Sequence, residues 1–360
     1  MRIWLVGFGT VGQWLGRVLD EQAGRLEARY GLVPRVVGIA TGHDGFVYAP
    51  DGLDLAAARS AAEAGRPLGD LAGVRHWPST VDGLGATEAD LLVEVSASPP
   101  EDGQPGLAHL REALRRRIPA VTSNKWPVAL DGVALAALAR DQGVPFRAES
   151  TVMSGTPVLS TLTEGLAGAR PLGLRGLLNA TVNDILTRMA GGLSYSDALA
   201  AAQDAGLAEP DPAADVGGLD EVAKVMILSA LVFGRQLTRA DVSYRGIDDL
   251  PGQALDEARA VGGTLKHVAS LSFAEPGSAG AEPGSAGPVS ARVQTEVVRP
   301  GDPLAGVDGA INALVCRAEP VGQVTITGPG AGPALAGQGV LADLIAVARW
   351  AQRYPGRSQR

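Results

Sequence analysis

The chain has 360 residues, a formal net charge of −8 and 46% hydrophobic residues. That length can carry two packed domains, and the acidic balance leaves no basic stripe to neutralise phosphates, which excludes a general nucleic-acid binder. One cysteine, Cys316, excludes intramolecular disulfides, and His43, His76, His109 and His267 are too scattered to suggest a metal centre.

In chain order, RIWLVGF is a short apolar run of strand formers, and GTVGQWLGRVL continues it with helical spacing. The start lacks the hydrophobic stretch and cleavage site of a signal peptide. Every later apolar run is interrupted by charge or turn residues before it could cross a bilayer. A soluble cytoplasmic protein with no membrane partner is expected. Gly7, Gly9 and Gly12 form G-x-G-x-x-G between the strand and the helix. The first glycine permits the tight turn, the second lets a pyrophosphate approach the backbone, and the third lets helix and strand pack closely, so a dinucleotide cofactor is expected.

Further strands are expected at 35–40 (RVVGIA), 89–98 (ADLLVEVSAS) and 119–124 (PAVTSN), with helices at 105–117 and 128–142. This alternation predicts a Rossmann-type doubly wound parallel sheet. The second strand is followed by Thr41 and Gly42, where Asp or Glu would favour NAD, and no Arg stands nearby for a 2′-phosphate. NAD and NADP both stay open. Lys125, in VTSNKW, stands either on the ligand-binding rim of the sheet or as a solvent-facing lysine. Glu149 precedes a turn containing Gly and Pro; it is an ordinary loop residue or a carboxylate that joins carbonyls around a hard cation.

The pattern then changes. RGLLNATVNDIL reads as a strand running into a turn, 195–207 as a helix, and 219–233 as a helix apolar almost all round after Lys224. Residues 288–299 alternate like a half-buried strand, so a second, α+β domain is expected. The tandem EPGSAGA and EPGSAGP at 275–288 read as a surface loop joining two strands. From GPGAG onward a glycine turn and a long helix return to the first domain. The expected division is 1–150, 151–320 and a returning segment 321–360.

AAQDAGLAEPDPAADVGGLDEVAK holds Asp204, Glu209, Asp211, Asp215, Asp220 and Glu221, with Lys224 as its one base. It is either a solvated acidic loop or a pocket that binds a substrate ammonium and holds a lysine for proton transfer. Asp220 and Lys224 share a helix face at i, i+4, where a surface ion pair is worth only about 0.3–0.5 kcal/mol. The chain has just three lysines, Lys125, Lys224 and Lys266, against a large excess of arginine. This raises the chance that each lysine serves as a compact, titratable ammonium.

Together GFGTVG, VTSNK, ESTVMSGTP, GLLNATVNDIL, GLAEPDPAADVGGLDEVAK and GPGAG resemble, in order and over nearly the whole chain, the homoserine dehydrogenases. The resemblance implies hydride transfer between NADH or NADPH and L-aspartate 4-semialdehyde, giving L-homoserine, and the reverse. It implies Lys224 as proton donor and Lys125 as a second lysine near the nicotinamide. Glu209 and Asp220, with Asp215 beside them, would hold the amino acid. Gly7, Gly9, Thr10, Val11, Gly12, Ser96, Gly206 and Gly332 would contact the cofactor. Glu149, Val152, Ser154 and Thr156 match a Na⁺ or K⁺ site, the last three through carbonyls. A homodimer joined through the second domain, which would be catalytic and dimerising, is also implied.

The segment 179–184, NATVND, departs from the family's common NGTTNY, and no C-terminal regulatory domain is expected after the last helix. Other readings are a semialdehyde dehydrogenase, which would need Cys316 as nucleophile, a catalytically silent dinucleotide-binding or sensing protein, and a dehydrogenase of another amino-acid aldehyde or alcohol.

Overall fold

The computed structural model describes residues 1–208, 211–248, 250, 253–273, 289–330 and 332–354. The chain divides into two compact units, Met1–Gly155 with Gly332–Arg360, and Thr156–Ala331.

The first unit opens with β1 (Arg2–Val6), α1 (Thr10–Glu21), α2 (Ala23–Tyr30), β2 (Arg35–Thr41), β3 (Gly45–Tyr48), α3 (Leu55–Glu63), β4 (Arg75–Trp77) and α4 (Thr80–Ala86). It continues with β5 (Leu91–Glu94), α5 (Gly106–Arg115), β6 (Ala120–Thr122), α6 (Lys125–Gln142) and β7 (Phe146–Arg147). Its sheet has the order β4-β3-β2-β1-β5-β6-β7. β2, β1, β5, β6 and β7 are parallel, while β3 and β4 add antiparallel pairings at one edge. The expected parallel sheet is therefore a mixed one.

The central strands are nearly continuous apolar runs because helices cover both faces. Alternation along β1 splits its side chains. Ile3 and Leu5 enter one core with Leu15 and Val18 of α1, and Trp4 and Val6 enter the other with Leu107 and Leu110 of α5. Each such burial stabilises by roughly 1.5–3 kcal/mol.

The second unit holds β8 (Arg170–Leu177), α7 (Ala180–Ala190), α8 (Tyr195–Asp204), α9 (Ala213–Val216), α10 (Leu219–Phe233), β9 (Val242–Tyr244), α11 (Ala254–Ala260), β10 (Thr264–Phe273), β11 (Val289–Val298), β12 (Ile311–Glu319) and β13 (Gly322–Pro329). Its sheet runs β13-β12-β8-β10-β11-β9 and is antiparallel except for β11 with β9. β10 and β11 pair antiparallel on either side of the tandem repeat, which lies outside the described residues.

One more helix, α12 (Pro333–Arg353), belongs to the first unit. By length and a mean hydropathy of 1.2 it could cross a membrane. In the fold its apolar face instead supplies Val340, Leu341, Leu344 and Val347 to the core shared with β1 and α1.

Two local readings change. NATVND does not run from strand into a turn but is the start of α7, because the Asn179 side chain accepts from Val182 N and caps the helix. The helix expected at 128–142 begins at Lys125, with a break at Asp131 (φ −141°).

Candidate active site

In the first unit, β1 runs into Gly7, whose φ of +97° and whose missing Cβ are both required: a Cβ there would lie 2.5 Å from Ser96 N. A Cβ on Gly12 would meet Gly7 O at 2.1 Å, so helix and turn pack as the motif demands. Gly9 faces open space, and as N-cap of α1 it has no side-chain bond. The first N–H groups of the helix, on Thr10 and Val11, thus have no side-chain cap. This is the arrangement that accepts an anionic pyrophosphate, and these residues fit the cofactor their sequence implies.

Strand order places Ser96 and Lys125 on the neighbouring strand ends, after β5 and β6. Glu94 organises this rim. Its carboxylate is 0% exposed, and Oε1 accepts from both N and Oγ of Ser96. Oε2 accepts from Asn124 Nδ2 at 2.9 Å, and Asn124 is the residue before Lys125. Asn124 also donates to Ser98 Oγ at 2.7 Å, and Thr122 Oγ1 donates to the Glu94 carbonyl at 2.8 Å. Sequence reasoning missed Glu94. The signal was an acid closing the apolar run LLV at 91–93.

Glu149, Ser150, Thr151, Val152 and Met153 are buried, and Met153 and Ser154 hold φ values of 58° and 54°. Non-glycine residues persist in that region when their surroundings over-determine them. Here α12 does so. Asp343 accepts from Glu149 N at 2.8 Å and pairs with Arg147 at 2.8 Å, and Ser150 Oγ donates to Ala336 O. Burial pushes the Asp343 carboxyl up to about 6, against the pull of Arg147. Among the described residues no three His, Cys, Asp or Glu side chains cluster as metal ligands. The expected set instead rests on one carboxylate and carbonyl oxygens. Thr156, its fourth member, opens the second unit, with a buried Oγ1 that has no hydrogen-bond partner among the described residues.

In the second unit, Gly218 (φ +84°) turns the chain into α10, setting Asp220 and Glu221 in the first turn and Lys224 one turn on. Lys224 Nζ lies 2.6 Å from Asp220 Oδ2 and donates to Leu178 O at 2.5 Å. Both side chains are about nine-tenths buried, at 11% and 12% exposure, so this is no surface pair. Asp215 accepts from Asn179 Nδ2 at 2.9 Å. Burial pushes its carboxyl above the usual range, and the Asn179 bond only partly offsets this. Such a group gains from a cationic partner. Glu209 lies outside the described residues. Gly206 (φ +69°) is exposed at the end of α8, and Gly332 (φ +143°) caps α12.

The altered segment is accommodated within the same unit. Asn183 Nδ2 donates to the carbonyls of Val307, Gly309 and Ile311, Asp184 pairs with Arg188 at 2.6 Å, and Val182 enters the core. Ala180 fits because residue 330 is glycine: a Cβ there would lie 1.9 Å from Ala180 Cβ. Lys266, fully buried, donates to Asn183 Oδ1, Val307 O and Asp308 Oδ1, which gives the third lysine a structural task.

A second buried pair stands one residue from Asp220. His267 Nδ1 lies 2.9 Å from Glu221 Oε1, with both side chains 1% exposed, and His267 Nε2 lies 3.0 Å from Arg245 O. Cys316 is buried in β12, where burial raises its thiol. It makes a poor nucleophile for an acyl-enzyme reaction.

The family model described as homoserine dehydrogenase matches residues 157–345. An NAD(+)-dependent homoserine dehydrogenase of Pseudomonas canavaninivorans is 36% identical, over 97% of this chain and 96% of its own. A crystal structure of a homoserine dehydrogenase from Thiobacillus denitrificans superposes with a TM-score of 0.79 at 30% identity, over 99% of this chain and 75% of that one. A hyperthermophilic archaeal homoserine dehydrogenase in complex with NADPH gives 0.77 at 28% identity, over 98% of both chains. By sequence, fold and family match, the chain belongs to the homoserine dehydrogenases.

Proposed function

We propose that Lys224 handles the proton, and Asp215 and Asp220 the amino-acid end of the substrate, in the NAD(P)-dependent interconversion of L-homoserine and L-aspartate 4-semialdehyde. That oxidoreductase reaction follows from family membership. The observation that carries the residue roles is the buried Lys224–Asp220 pair at the start of α10, beside an Asp215 whose burial disfavours its own charge.

The bound dinucleotide supplies or takes up the hydride. As an aldehyde is reduced, negative charge develops on its oxygen, and an ammonium at that atom stabilises the charge and then protonates it. Among the described residues Lys224 Nζ is engaged by Asp220 and Leu178 O. In this proposal a further N–H of the ammonium meets the substrate oxygen. In the reverse direction the same nitrogen takes the hydroxyl proton. A substrate ammonium near Asp215 and Asp220 offsets their desolvation, with Glu209 completing the set by resemblance.

In the first unit Gly7, Gly9, Thr10, Val11 and Gly12 hold the pyrophosphate, and Ser96 and Lys125 border the nicotinamide. Gly206 and Gly332 join them on the resemblance alone. A Na⁺ or K⁺ ion belongs to the same reading, held by Glu149 and the carbonyls of Val152, Ser154 and Thr156; the strained backbone at 153–154 supports it. So does a homodimer in the cytoplasm, supported by the exposed Tyr244, Val297 and Ile311 on the second unit's strands.

Homoserine-dependent reduction of NAD and NADP tests the assignment. Lys224→Arg keeps the charge but yields no proton readily, so turnover should fall by about 10²–10⁴-fold. Undiminished turnover would remove Lys224 from its role. Indifference of both activity and stability to Na⁺ and K⁺ would remove the cation.

A further inference from the structure

The glycine turn and the end of β2 lie side by side: Gly7 N donates to Ala40 O at 2.9 Å, and β1 and β2 run parallel in register to Val6 and Ala40. In a doubly wound sheet the ribose next to the pyrophosphate sits over this strand end, and an acid there binds its hydroxyls. The strand itself ends in Thr41. The chain then folds back through Gly42 and His43, both exposed, and returns a carboxylate to that position. Asp44 N donates to Thr41 Oγ1 at 2.9 Å, and Thr41 Oγ1 donates to Asp44 Oδ2 at 3.0 Å.

The turn is held from behind. Gly45 has φ +68°, and a Cβ there would lie 2.2 Å from Trp77 O and 2.6 Å from Pro78 O. His76 Nε2 lies 2.5 Å from the Asp44 carbonyl. Asp44 is thus half-buried and oriented, with Oδ2 engaged by Thr41. Nearby arginines are placed otherwise: Arg35 opens β2 at its opposite end, and the Arg75 guanidinium stacks on Tyr48 and Trp77, 5.1 and 5.6 Å from the ring centres.

We propose that Asp44, set by Thr41, is the residue that selects the cofactor, accepting from the ribose hydroxyls of an NAD-type dinucleotide and repelling a 2′-phosphate. Relatives of both kinds exist, one NAD(+)-dependent and one bound to NADPH, so the selection must be read from this chain's own residues. The inference rests on the dinucleotide assignment above.

The test is binding without turnover: fluorescence titration of the purified chain with NADH and with NADPH. The wild type should bind NADH at least about tenfold more tightly. Asp44→Asn and Asp44→Ala should narrow that ratio by about tenfold, chiefly by tightening NADPH, and Thr41→Val should narrow it less. Equal affinities in the wild type, or a ratio unmoved in both Asp44 variants, overturn the proposal. Failure of the wild type to bind either dinucleotide overturns the cofactor assignment itself. Melting temperatures near the wild type's certify that the variants are folded.

Discussion

At the scale of single residues, the His267–Glu221 pair shows how the acids proposed to bind the substrate are held in place. Glu221 follows Asp220 on α10, and the Arg245 carbonyl that meets His267 leads into Gly246, which packs against Val216 O and the Gly217 backbone. The imidazole therefore ties the start of α10 to the loop behind Asp215. Burial alone would lower the His267 pKa, but the hydrogen bond and charge of Glu221 outweigh it and the net direction is upward. The groups around it are Glu221 on α10, the Arg245 carbonyl beyond β9 and Thr295 across the sheet on β11, with Asp215 and Asp220 beyond Glu221. A raised folded-state pKa means the pair's stabilisation is complete below the ordinary 6.5 and is lost as pH climbs through the higher value. Denaturant titrations from pH 6 to 9 should show the wild type's advantage over His267→Gln shrinking with pH. An advantage independent of pH would show that the imidazole is never charged there. None of this was legible in the sequence, where His267 and Glu221 lie 46 positions apart and only tertiary pairing brings them together. Asp220 and Lys224 were legible because i, i+4 spacing is a local property.

At the scale of elements, α12 combines two tasks that its sequence shows unequally. Its length was readable from the sequence as a long helix after a glycine turn. The role of Asp343 was not, because its partners, Arg147 and Glu149, belong to a segment almost 200 residues earlier. Asp343 also makes a pH prediction in the same direction as His267 but in a lower window. Its folded pKa of about 6 stands above the ordinary 3.8, so its favourable contribution is full below about 3.8 and declines as pH rises through about 6. Asp343→Asn keeps an acceptor for Glu149 N and removes the titration. Relative to that variant the wild type should lose on the order of 2–3 kcal/mol between pH 4 and 7. Guanidinium unfolding midpoints across that range measure it, and parallel curves would refute it. The first unit's central strands were visible as apolar runs. The antiparallel edge, β3 and β4, was not, since both strands are short and carry little pattern of their own. That same edge delivers Asp44 to the end of β2. The strand's last residue, Thr41, is no acid; the acid stands three positions on.

At the scale of the whole molecule, the first unit, proposed to bind the nucleotide, is discontinuous: the chain leaves it at Gly155 and re-enters at Gly332. Strand–helix alternation and the late glycine turn were the sequence signals for expecting such a return. What fixes the unit's completeness is the burial of Val340, Leu341, Leu344 and Val347 against β1 and α1. At roughly 1.5–3 kcal/mol each, these four side chains together match the whole stability of a typical domain, about 5–15 kcal/mol. A chain lacking residues 333–360 should therefore lose NADH binding and the near-ultraviolet signature of the buried Trp4. Wild-type NADH affinity in that truncation would show that the first unit stands without α12.

The return of α12 also sets an order of events during translation. Domains commonly fold as units, N-terminal first, while they are being synthesised. Here the N-terminal unit has to wait: everything from Thr156 to Ala331 is synthesised before the helix that closes the glycine-motif unit. A nascent chain interrupted anywhere before that helix presents the uncovered face of β1 and α1, an apolar surface of the kind chaperones and proteases recognise. The unit proposed to hold the dinucleotide is thus completed only after the whole second unit has been made, and its closure marks a chain translated through α12.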